Sequence, residues 1–226
     1  MSPSRNRRTQ WVAGSAVALA LLFAGAATVA SARGEAETPG PRTPSARSAD
    51  AGFARDMAVH HQQAVEMSFI VRDVTGDEDV RRLAYDIANT QANQRGMLLG
   101  WLDLWELPKT APDGQGPMAW MPGGGHSGHD MEGMEGMDHD GALMSGMATR
   151  TELDRLRAAR GKQAEVLFLQ LMTDHHKGGV AMARGCAERC TVPAEKRLAQ
   201  GMVEAQQSEL DLMADMLAAR GAAPRP

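Results

Sequence analysis

An all-α fold, a ferritin-like four-helix bundle made of two copies of one helical hairpin, is what this sequence predicts, on three observations. Apolar residues recur at helical spacing through four long stretches, with no competing alternation of the kind strands show. Residues 53–67 and 168–182 nearly match, each holding a His-His pair with a Met three residues before its first His and another seven after it. The match continues at a constant offset of 115 residues, pairing Arg82-Leu83-Ala84 with Arg197-Leu198-Ala199, Gln91 with Gln206 and Leu102 with Leu217. No gap is needed from Phe53 to Leu102. Two amphipathic hairpins bury their apolar stripes by packing on each other, which makes a bundle.

The elements follow in order. Arg5, Arg7 and Arg8 precede an uncharged apolar run from Trp11 to Ala30 that ends in Ala30-Ser31-Ala32. Residues 1–32 read as a signal peptide cut after Ala32 or, because about 20 apolar residues span a bilayer, as a retained anchor. Both readings put the rest outside the cytoplasm, secreted or held at the outer face of the cell membrane, with membrane contact only through this segment. Residues 33–48, rich in Pro, Ser, Ala and Gly, read as a flexible linker to a domain over 49–220. A helix opens near Asp50, with Ser48 or Asp50 as N-cap, and runs to about Val74. Thr75-Gly76-Asp77-Glu78 has capping-box spacing, and the next helix reaches about Glu106, with Pro108 just beyond. These complete the first hairpin, 49–106. Residues 107–148 have no period and read as a long Met- and His-rich loop. Thr149 and Glu152 again have capping-box spacing and open a short helix to about Ala159. A helix from Lys162 to about Ala187 carries the second His-His, Thr191-Val192-Pro193 marks the turn, and a last helix ends near Arg220.

Charge and composition exclude some functions. The chain has 24 basic and 28 acidic residues, and loss of residues 1–32 leaves a net charge of about −7. A mildly acidic exported domain lacks the basic face that nucleic-acid binding requires. Methionine is abundant at 16 residues, and seven of them fall within residues 118–147. Core packing does not account for that distribution.

The His-His stripes carry the chemistry. Helical spacing sets Met57, His60 and Met67 on one stripe and Met172, His175 and Met182 on its counterpart. His61 and His176 point about 100° away from their neighbours, one turn from Met57 and Met172. Taken singly, each stripe reads as an exposed His-His pair whose neighbouring Met residues fill the core. Taken as a matched pair that packing brings face to face, they form a thioether and imidazole set, and copper is the metal that set suits best. On the partner helices, Glu209 stands where the first half has Gln94; facing inward, it would orient a histidine or ligate directly. A second set lies in the loop: His126, His129, Met131, Met134, Met137 and His139, continuing to Met144 and Met147. It reads either as a low-complexity linker or as a flexible multidentate trap for copper.

Cys186 and Cys190 are the only cysteines. In an oxidising compartment a disulfide is the default, and four residues along a helix is a distance it tolerates. The alternative is a Cys-x-x-x-Cys copper site, since thiolates favour Cu(I). The first half has Val71 and Thr75 at these positions. A di-iron carboxylate bundle would need Glu-x-x-His on two helices. Met57-x-x-His60 and Met172-x-x-His175 have Met there, which argues against an oxygen-activating enzyme of that kind.

The paired Met-x-x-His-His-x-x-x-x-x-Met segments, followed in each partner helix by Leu-Ala and then Gln, resemble domain-of-unknown-function family 305 over roughly residues 50–220. The resemblance implies a ferritin-like helical bundle and, from exported members of the CopM type, copper binding or tolerance outside the cytoplasm, with Met57, His60, His61, Met67, Met172, His175, His176 and Met182 in the motif positions. Gly178-Gly179, Gln94 against Glu209, and the cysteine pair depart from the pattern. The reading is an exported protein that sequesters Cu(I) or Cu(II), or passes it to a transfer partner protein, with no catalytic residue. A copper-dependent redox enzyme of the cuprous oxidase kind, on the same residues, and a helical structural or interaction protein are the alternatives.

Overall fold

Among the described residues, five helices form where the caps and apolar periods place them. A computed structural model describes residues 43–122 and 140–225. The N-terminal apolar run and the loop set His126, His129, Met131, Met134, Met137 and His139 lie outside the described residues. Helix α1 (Ala49–Val74) starts at Ser48, whose hydroxyl accepts the Ala51 N–H at 3.2 Å. Helix α2 (Glu78–Leu104) is capped by Asp77, whose carboxylate accepts the Val80 N–H at 2.9 Å. The capping box expected between Thr75 and Glu78 does not form. Thr75 instead ends α1, accepts the Asp77 N–H at 3.1 Å and donates its hydroxyl to Glu165 at 2.8 Å. Helix α3 (Arg150–Ala158) does open on a capping box, Thr149 with Glu152. Helix α4 (Gly161–Arg189) carries the second His-His, and α5 (Pro193–Ala219) begins on a proline, where a missing N–H costs nothing. Among the described residues there is no strand, and no helix is long and apolar enough to cross a membrane.

Helix α1 packs on α2, α4 on α5, and the hairpins meet chiefly through α1 against α4. The two central helices run antiparallel. Asp50, at the start of α1, accepts the N–H groups of Thr191 and Val192 beyond the end of α4, at 2.7 and 2.8 Å. Glu165, its equivalent at the start of α4, accepts the Thr75 hydroxyl beyond the end of α1. Each hairpin thus anchors the turn of the other, as a two-fold duplication requires.

Among the described residues the apolar interior falls into two clusters. One holds Met67, Val71, Leu83, Ile87, Phe168, Met172, Met213 and Leu217; the other holds Phe53, Met57, Leu98, Leu102, Trp120, Met144, Met182, Cys186 and Met202. The segment after α2 is non-helical but folded back on α1. Asp56 accepts the Met118 N–H and the Trp120 indole N–H, both at 2.8 Å, and the Trp120 ring covers Gly52, where a Cβ would sit 2.5 Å from it. The chain returning from the loop lies directly on α4. A Cβ on Gly178 would stand 2.1 Å from the Ser145 carbonyl oxygen, so only glycine admits that approach. Gln63 holds the same segment by accepting the Ala148 N–H at 2.7 Å and donating to the Ala148 carbonyl at 2.9 Å.

Candidate metal centre

All four histidines of the paired motif are fully buried at the crossing of α1 and α4. His60 and His175 stack with ring centroids 3.7 Å apart and planes 31° from parallel. His61 and His176 flank them, each with its ring centroid 6.4 Å from that of its sequence neighbour. The layer takes its order from oxygen acceptors. His175 donates Nε2–H to the His60 carbonyl at 3.0 Å, His61 donates to Gln94 Oε1 at 2.9 Å, and His176 donates to Glu209 Oε2 at 2.6 Å. A ring that donates at Nε2 keeps its lone pair on Nδ1 when neutral. The Nδ1 atoms of His61, His175 and His176 are buried without a partner, and so are both ring nitrogens of His60. Glu209 and Gln94 hold equivalent places one repeat apart, each reaching inward from a partly exposed position.

Burial also fixes charge. Desolvation holds His60 and His175 well below the ordinary imidazole range, reinforced by the neighbouring histidines, and the Ser145 backbone offsets this only partly at His60 without making a hydrogen bond of ordinary geometry. Desolvation lowers His61 to about 3, against the raising effect of its bond to Gln94. At neutral pH these three rings are uncharged, the form in which imidazole ligates metals.

The methionines do not gather at one point. Met57 and Met182 share one core cluster, Met67 and Met172 the other, so the histidine layer has a thioether pair on either side. Antiparallel packing is the reason: a residue ahead of the crossing on α1 meets one behind it on α4. Nor do the histidine nitrogens form a ready three-ligand cage. Among the described residues, the one group of three His, Cys, Asp or Glu ligand atoms within 4.8 Å of one another is Cys186, Cys190 and Glu195. The sulfurs of Cys186 and Cys190 are bonded at 2.06 Å, with Cα atoms 4.8 Å apart, closer than helical spacing gives because Cys190 has already left the helix in extended conformation.

Sequence reasoning missed how far the Met57 side is extended. Met144 and Met202 are buried in the same cluster as Met57 and Met182, and Met118, Met121 and Met147 pack against it. Met121 seats its sulfur over Gly185, 3.0 Å from where a Cβ would stand. The described segments 118–122 and 140–148 on either side therefore feed this side of the histidine layer. Clustering of methionine in residues 118–147 was the available signal, but its contact with Met57 depends on the chain folding back through Asp56 and Gly178.

The model of DUF305, a domain of unknown function, matches residues 50–217. The chain belongs to the DUF305 family. A DUF305 protein from Streptomyces coelicolor, whose given name is that of a secreted protein, is 62% identical, covering 80% of this chain and 99% of that one, with a TM-score of 0.69. A DUF305 fragment from Deinococcus radiodurans is 27% identical, covering 79% and 99%, with a TM-score of 0.59. CopM in its Cu(I)-bound form is 19% identical, covering 75% and 96%, with a TM-score of 0.55, and shows that the DUF305 fold here is CopM-like. A comparison with curated proteins finds no match.

Proposed function

We propose that this DUF305 protein is an exported copper-binding protein that holds copper at the His60/His175 layer, for sequestration or for transfer to a partner protein. The observation that carries the reading is the set of buried imidazole nitrogens with nothing to bond: Nδ1 of His61, His175 and His176, and both nitrogens of His60. A buried polar atom left unpaired costs about 1–3 kcal/mol, and the Nδ1 lone pairs of His61, His175 and His176 with the single lone pair of neutral His60 are four acceptors in one layer that a bound cation would satisfy. The second partners, Gln94, Glu209 and the His60 carbonyl, fix the tautomer that leaves Nδ1 open, which is how ligating histidines are oriented in metal sites. Imidazole with thioether on either side is a soft-to-borderline set suited to copper, and too poor in oxygen for magnesium or calcium.

Export rests on the apolar N-terminal run after three arginines and agrees with the name given to the Streptomyces coelicolor relative, that of a secreted protein. CopM has been solved with Cu(I), Cu(II) and silver; at its level of identity the likeness bears on the fold, and the copper reading here rests on this chain's own residues. The loop residues His126, His129, Met131, Met134, Met137 and His139 would act as a first trap, with Met118, Met121, Met144 and Met147 leading inward to Met57 and Met182. Titration of Cu(I) in competition with a chromogenic chelator tests the proposal. The His60→Ala/His175→Ala protein should bind at least about tenfold more weakly than wild type, whereas alanine at the six loop positions should lower stoichiometry and leave the tightest site. Equal affinity in the wild type and the histidine variant would refute it.

A further inference from the structure

The far end of α4 carries side chains that the histidine and methionine layers do not use, and the duplication shows how they differ from their counterparts. At one pole, Glu165 accepts from Thr75 and from the Arg220 guanidinium, both at 2.8 Å, and Arg220 also pairs with Asp77 at 2.9 Å. At the other pole the equivalent acid is Asp50, bonded to the Thr191 and Val192 N–H groups. The position equivalent to Arg220 is Trp105 there, and the position equivalent to Val80 is a second acid, Glu195. Glu195 is fully buried, and neither of its carboxylate oxygens meets a donor. Among the described residues its acidic neighbour is Asp50, close enough to share a proton with it, and no ion pair reaches either. One Glu195 oxygen and the two cysteine sulfurs lie within 4.8 Å of one another. Among the described residues this pole has no cation in that place and carries a carboxyl group and two sulfurs instead.

Two buried acids side by side, with no cation between them, are tolerable only while one keeps a proton, and a bound cation can take that proton's place. Two thiolates and a carboxylate are a ligand set for thiophilic ions. Zn(II) takes sulfur at about 2.3 Å and carboxylate oxygen at about 2.0–2.2 Å around a tetrahedron, often with a fourth position open, and Cu(I) favours thiolates. Cys186 lies in the last turn of α4 and Cys190 is its C-cap, with its N–H still bonded to the Cys186 carbonyl, so little backbone movement separates bonded sulfurs from the spacing of about 3.8 Å that two ligands of one tetrahedral ion require. We propose that Cys186, Cys190 and Glu195 form a redox-gated site for a thiophilic cation, closed as the disulfide and open once that bond is reduced. An external dithiol supplies the two electrons and two protons: the Cys186–Cys190 bond breaks, two protein thiols form, and the reductant leaves as its own disulfide. Binding then sends the thiol protons to water, with that of Glu195 where it carries one. Thiol–disulfide exchange in the reverse direction removes both sulfur ligands and releases the ion.

The test is a Co(II) titration of the full-length protein under anaerobic conditions, before and after reduction by a dithiol and desalting. The expected result is a thiolate-to-cobalt charge-transfer band at one equivalent in the reduced protein only, lost in Cys186→Ser/Cys190→Ser. Glu195→Gln, which keeps the shape and removes the charge, should weaken Co(II) binding about tenfold or more. Displacement of the band by Zn(II) or by Cu(I) identifies which ion the site prefers. No band in the reduced wild type, a band that survives in the double serine variant, a band that neither ion displaces, or unchanged affinity in Glu195→Gln would each overturn the proposal. Imidazole and thioether give no such band, so failure here leaves the His60/His175 reading untouched, and failure of that reading leaves this one.

Discussion

His175 donates its Nε2–H to the backbone carbonyl of His60, its own counterpart 115 residues earlier, while the two rings stack at 3.7 Å. In a duplicated chain only residues beside the two-fold axis meet their own copies, so the axis passes through this pair. The same symmetry brings Met57 beside Met182 and Met67 beside Met172, and it makes the crossing of α1 and α4 the natural centre of the site.

Acid should destabilise the metal-free protein. His60, His175 and His61 are held below the unfolded imidazole pKa, so below pH 6.5 the unfolded chain binds more protons and stability falls with pH. Each such ring contributes a slope of about 1.4 kcal/mol per pH unit, and Glu195 opposes with one. A net loss of about 2–3 kcal/mol per unit below pH 6.5 is expected from urea unfolding, and a flat profile would show that these rings are not buried in the neutral form.

The alkaline side should tilt the other way. Burial, with the Asp50 charge beside it, raises Glu195 to about 9, so between its unfolded value and that pH the folded state holds the extra proton. Stability should therefore decline as pH rises from 7 to 9, by about 1.4 kcal/mol per unit, and Glu195→Gln should abolish the slope. Unfolding of the two proteins across that range is the measurement.

Gly178→Ala should lift the return segment of the loop from α4. Its methyl would stand 2.1 Å from the Ser145 carbonyl, backbone against side chain with no rotamer to yield. A cost of about 1–3 kcal/mol is expected, visible as a lowered Tm. An unchanged Tm would mean that the segment 140–148 is not seated there.

The sequence made much of this legible, and for identifiable reasons. Ser48, the Thr149 and Glu152 pair and Pro193 are local signals, and helix ends followed them closely. The duplication foretold the meeting of His60 with His175. Convergence of all four motif methionines did not follow, because a face-to-face meeting of stripes says nothing of their direction, and antiparallel helices split the methionines two and two. Thr75 has capping-box spacing to Glu78, but Asp77 is nearer the helix start and takes the cap, leaving Thr75 to Glu165. That Trp105 stands where the repeat has Arg220 is legible in the sequence, but burial of Glu195 beside Asp50 and the two cysteines depends on tertiary packing and was not.

Glu209→Gln should convert the second half-site to the pattern of the first, His176 then facing an amide as His61 faces Gln94. A carboxylate behind a ligating histidine strengthens it as a donor, and its loss typically costs 10–100-fold in metal affinity, so a fall of about tenfold in Cu(I) binding is expected. Unaltered binding would remove His176 from the site.

X-ray absorption at the copper edge, on Cu(I)-loaded protein with His126, His129, Met131, Met134, Met137 and His139 all replaced by alanine, tests the central claim most directly. The expected spectrum shows imidazole nitrogen and thioether sulfur around copper, with the imidazole contribution lost in the further His60→Ala/His175→Ala variant. Copper that does not bind, or that binds with no imidazole in its shell, would contradict the account.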